Sequence, residues 1–160
     1  MKTASIKQLK DELNFKTQSE LKELCLHLAR FKKENKELLT YLLFEAHDEE
    51  AYIMGIKQQI TLEFSEINTK SFFYIRKSVR KILSQTKKYI RYSKKKETET
   101  ELLLHFCKSL QEFHPNFKRS QRLQNVFDAQ IRMIKKAIDK LHVDLQYDYK
   151  IELDELLGNG

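Results

Sequence analysis

Residues 70–96 read KSFFYIRKSVRKILSQTKKYIRYSKKK. Phe72, Ile75, Val79, Ile82, Leu83 and Ile90 recur at helical spacing, which predicts one long amphipathic helix with a single apolar side. The same stretch carries eleven Lys or Arg and no Asp or Glu. On a wheel of ~100° per residue, Arg76, Lys77, Arg80, Lys81, Lys87, Lys88, Arg91, Lys94 and Lys95 gather on roughly 140° of the opposite side. The expectation is a basic ridge roughly 36 Å long at ~1.5 Å per residue. Pairs such as Arg76–Arg80 and Lys77–Lys81 each cost an isolated helix about 0.2–0.5 kcal/mol. A helix anchored on a core carries that cost, so repulsion alone demands no partner.

Similar stripes extend in both directions from this segment. Upstream, Ile53, Ile56, Ile60, Phe64 and Ile67 are spaced for one helix face. Downstream, the acidic run ETETE suits a helix start, and Leu103, Phe106, Cys107, Leu110 and Phe113 continue it as far as Pro115. A last long helix carries Leu123, Val126, Phe127, Ile131, Ile134, Ile138 and Leu141. Near the N-terminus, Thr17-Gln-Ser-Glu20 has capping-box spacing and opens a helix bearing Leu21, Leu24, Cys25, Leu28 and Phe31, after a shorter turn at Ile6-Leu9-Leu13. Asn35 is expected to cap the next helix, ELLTYLLFEA, whose apolar surroundings predict a central position. The cluster His47-Asp48-Glu49-Glu50 then marks either a break or a capped restart.

The whole chain supports this reading. Only 3 Gly and 1 Pro occur in 160 residues, too few turn residues for a sheet fold. We expect an all-α protein, an antiparallel helical bundle or short stack of helix hairpins, with six or seven helices. Residues 1–143 are expected to form the bundle and 144–160 an acidic, less regular C-terminal tail. No apolar run approaches the ~18 residues of a membrane span, and no apolar leader opens the chain. Cys25 and Cys107 sit among leucines and are expected to be reduced core residues, which with the missing leader implies a cytoplasmic protein.

Chemical strings are scarce. There is no Gly-rich phosphate loop, nucleophile elbow or zinc-protease motif. Glu23/His27 and Glu101/His105 are spaced for one helix face, and Glu45 to Glu50 can hold a hard cation. Packed histidines and helix-dipole partners account for the same residues, so neither a metal site nor a cofactor is expected and no enzyme activity is assigned. Outside residues 70–96 the chain holds 19 basic and 23 acidic residues (30 − 11 and 23 − 0), a net −4. The ridge is therefore either neutralised by the acidic tail or open to an anionic guest. The leading expectation is a non-enzymatic interaction or scaffold protein that binds protein or itself. The alternative is electrostatic nucleic-acid binding through residues 70–96, with Phe73, Tyr74, Tyr89 and Tyr92 available to stack on bases.

Three stretches, ELCLHLARFKKENKELLTYLLFEA, KKYIRYSKKKETETELLL and LQYDYKIEL, resemble a family of small uncharacterised bacterial helical proteins. The resemblance implies a helical, intracellular bacterial protein and brings no activity or site residue with it.

Overall fold

The computed structural model describes residues 1–158, and within them the chain is all-α with eight helices. They are α1 (Ile6–Leu13), α2 (Gln18–Phe31), α3 (Lys33–Thr40), α4 (Glu49–Ser65), α5 (Phe72–Ser93), α6 (Lys96–Glu112), α7 (Gln121–Ile138) and α8 (Val143–Leu156). A π turn, Tyr41–Glu45, follows α3, and a 3-10 turn, Phe117–Arg119, precedes α7. None of these helices is long and apolar enough to cross a membrane. The chain divides into two compact units, Met1–Phe44 and Glu45–Gly160.

The first unit is stitched by local hydrogen bonds. Ser5 and Gln8 form a capping box on α1, and Thr17 and Glu20 form the expected one on α2. Glu20 Oε2 accepts from the Thr17 amide at 2.8 Å, and that bond holds its carboxyl below the usual range. Asn35 does not cap the helix after it. Its Nδ2 donates to the Leu28 carbonyl at 2.8 Å, satisfying a free acceptor at the end of α2 and tying α3 back onto it. The apolar run after α3 is not central either. Tyr41 is buried, while Leu42, Leu43 and Phe44 are exposed, because the π turn changes the phase of the side chains there. Cys25 is exposed, contrary to the core position expected of it, since in α2 only Ala29 is buried.

The second unit holds the large core. α6 is its central helix: Leu102, Leu103, Leu104, Phe106, Cys107 and Leu110 are all buried, covering most of its circumference. It packs against α4, α5, α7 and α8, and its remaining side carries Glu97, Glu101, His105, Lys108 and Glu112. The predicted stripes of α4, α5 and α7 supply the facing layer through Ile56, Ile60, Phe64, Ile75, Val79, Ile82, Ile131 and Ile134. Phe64 meets Phe106 edge-to-face at 5.7 Å between ring centres and Phe113 at 6.0 Å. Burial pushes the Cys107 thiol up to about 12, which removes thiolate character at neutral pH.

The C-terminal stretch, expected as an irregular tail, is helix α8 through Leu156. Tyr149 and Leu153 are buried on its inner side, and α8 packs on α6 and α7. The alternation of acids with Tyr and Leu hides a helical stripe of only a few residues, which a composition reading passes over. Asn159 and Gly160 lie outside the described residues.

One buried polar group in α7 is incompletely satisfied. Gln130 is 3% exposed; its Nε2 donates to the Val126 carbonyl, and its Oε1 has no partner. Gln130→Met keeps the length and removes the orphan acceptor, so it is expected to raise stability by about 1 kcal/mol. Urea melts of the two proteins followed by circular dichroism check this.

Candidate nucleic-acid interface

Helix α5 begins at the Ser71 N-cap position without a side-chain cap bond and runs for 22 residues. Ile75, Val79, Ile82, Leu83 and Thr86 are buried against α4 and α6, which fixes the rotation of the helix. Seven cations lie within it: Arg76, Lys77, Arg80, Lys81, Lys87, Lys88 and Arg91. With the core side anchored, they occupy roughly 140° of the remaining circumference at ~100° per residue. No acid occurs anywhere in the helix.

Lys94 and Lys95 do not belong to this ridge. The chain leaves α5 at Lys94, whose left-handed backbone (φ 61°) turns it directly into α6, and Lys95 occupies the α6 N-cap position. Lys95 Nζ lies 3.4 Å from Glu49, the residue that also accepts from Thr98 Oγ1 at 2.6 Å. The sequence pattern continues its cationic run through this corner, but the backbone reverses there. From Arg76 to Arg91 the ridge is therefore about 23 Å long at ~1.5 Å per residue.

The acidic α8 does not cover the ridge. Its Tyr149 Oη donates to Glu101 Oε1 at 2.7 Å and to Glu97 Oε1 at 3.2 Å, both on α6. Among the described residues, Arg76, Lys77, Arg80, Lys81, Lys87 and Arg91 make no ion pair with α8 or with any other element.

Aromatic residues divide between two roles. Phe73 is 62% exposed and shares one line of the helix with Lys77 and Arg80, at i+4 and i+7. Tyr74 is exposed beside it, with ring centres 5.5 Å apart. Tyr89 and Tyr92 are half-buried: the Tyr89 hydroxyl reaches Gln59 on α4, and its carbonyl accepts from Tyr52 Oη at 2.9 Å. Of the four aromatics expected to offer stacking surface, two do. A further cation is brought in by the fold rather than by α5. Arg119, on the turn before α7, sits over the Phe72 ring at 5.7 Å and adds positive charge beside the first turns of α5. A separation of 47 positions hides that neighbour from any reading of local pattern.

One concave surface of this unit lies among α4, α6 and α8, a cleft of about 450 Å³ lined by Lys57, His105, Lys108, Glu112, Glu152 and Glu155 among others. Lys57 pairs with Glu101, so the Glu101/His105 spacing does not serve as a ligand pair; His105 Nε2 lies 2.9 Å from Thr61 Oγ1 instead. Asp48, in the acidic run before α4, caps that helix by accepting from the Ala51 amide at 3.1 Å. No three His, Cys, Asp or Glu side chains among the described residues converge in a way that could hold a metal ion.

Desolvation, with Lys57 next in weight, holds the His105 pKa below its ordinary 6.5. The folded state thus prefers neutral His105. Its contribution to stability is complete above about 6.5 and is lost as pH falls from there through the depressed folded value. We expect the wild type to lose stability relative to His105→Gln between about pH 7 and 5, with a constant difference above 7. Thermal melts across that range test it.

Comparisons of this chain with protein-family models, with curated proteins and with solved structures find no match.

Proposed function

We propose that this is a non-enzymatic binding protein whose α5 ridge, with Phe73 and Tyr74 beside it, engages the sugar–phosphate backbone of nucleic acid. The observation that carries the reading is six cations on one side of α5, Arg76 and Lys87 half-buried and the others exposed, that make no ion pair with a carboxylate among the described residues. Phosphate supplies regularly spaced negative charge, and its contact with Lys and Arg releases condensed counterions, the main source of sequence-independent affinity. The exposed aromatic pair in line with Lys77 and Arg80 adds a stacking surface that a purely electrostatic neighbour does not need. This takes up the nucleic-acid alternative in place of the protein-binding or self-associating scaffold that was the leading expectation. Anisotropy titrations in low salt with a duplex, a single strand and an RNA of about 30 nucleotides should show binding at micromolar concentration or better. If all three fail to bind, the reading is wrong.

A further inference from the structure

The first unit leaves its apolar residues uncovered. Among its 44 residues only Ala29 and Tyr41 are buried, fewer than any stable core of that size requires. The apolar residues on one side of α2 are ordered. Leu21, Leu24, Leu28 and Phe31 follow steps of three, four and three, the seam spacing of a coiled coil, with Leu21 half-buried and Leu28 58% and Phe31 79% exposed. This pattern reads the same in both directions. An antiparallel second copy places Phe31 against Leu21 and Leu28 against Leu24 about a two-fold axis at residue 26, the isologous arrangement that closes a dimer.

Charge selects the same orientation. Glu20 and Glu23 flank Lys22 in the first half of α2, a net −1, while Arg30 lies in its last turn and Lys32 follows. Antiparallel pairing sets the acidic end of each helix over the basic end of the other and opposes the helix dipoles. Parallel pairing stacks like charge on like. Large apolar side chains on α1 and in the turn after it, Ile6, Leu9, Leu13 and Phe15, are exposed as well.

We propose that the protein is a homodimer joined by antiparallel pairing of α2 along Leu21, Leu24, Leu28 and Phe31. The symmetry makes a covalent prediction. Cys25 flanks the seam one residue from the two-fold axis, so both copies of Cys25 lie on the same side of the interface, ~3 Å apart along the helix direction at ~1.5 Å per residue. Cys107 is buried and takes no part.

Light scattering after size exclusion of the full chain should give twice 19.2 kDa, and a short bismaleimide should cross-link it. Cys25→Ser should abolish the cross-linked species and Cys107→Ser should not. Leu28→Glu should give a monomer whose circular dichroism is unchanged, because that side chain is already exposed in one copy. A monomer at about 100 µM overturns the proposal. A dimer that Leu28→Glu leaves intact, or that does not cross-link through Cys25, overturns it equally.

Discussion

Phe106→Ala is expected to remove about 3–5 kcal/mol from the stability of the second unit. Phe106 is 0% exposed at the centre of α6, its ring edge-to-face with Phe64 of α4. Truncation deletes the largest fully buried side chain of the core and leaves a cavity that the surrounding helices fill only in part. Domains are stable by only about 5–15 kcal/mol, so the loss takes a large share of the total. The melting temperature should fall by roughly 10–20 °C for a unit of this size. Phe73→Ala, the same change at a 62% exposed position, should shift stability by less than about 0.5 kcal/mol. Urea unfolding followed by circular dichroism suits a chain with no Trp. A loss under about 1 kcal/mol from Phe106→Ala would show that α6 is not the centre of the core.

Reversing Arg76, Arg80 and Arg91 to Glu is expected to weaken nucleic-acid binding on the order of 100- to 1,000-fold. Each reversal removes one phosphate contact and sets a negative charge against the backbone, and each lost contact lowers the salt slope by about 0.9. The melting temperature should change little, because the helix is held by Ile75, Val79, Ile82 and Leu83 on its other side. Reversing Lys95 should matter far less. Its charge already faces Glu49, around a corner from the ridge. Equal losses from both variants would mean that binding follows net charge and not the α5 surface.

Much of this fold is legible along the chain because the second unit obeys one rule. Where a helix side is buried, its apolar residues recur at three and four, and α4, α5, α6 and α7 show their inner surfaces that way. The rule is weak where burial is shallow. α8 contributes only Tyr149 and Leu153, so its helical stripe lies under the acidic composition. It also misreads α2, where a clear stripe marks an uncovered side and Cys25 is exposed with it. The ridge was visible as a charge pattern, while its end was not. Lys94 and Lys95 extend the run in sequence, but a left-handed residue ends the helix, and no Gly or Asn announces that turn. Arg119 reaches the ridge only through tertiary packing.

The claim that α5 is a phosphate-binding surface is tested most directly by the salt dependence of binding. Measured on duplex DNA, the logarithm of the association constant should fall against the logarithm of salt concentration with a slope of about −4.5, the release expected from about five neutralised phosphates. Binding with a slope near zero, or no binding at the lowest salt, would contradict it.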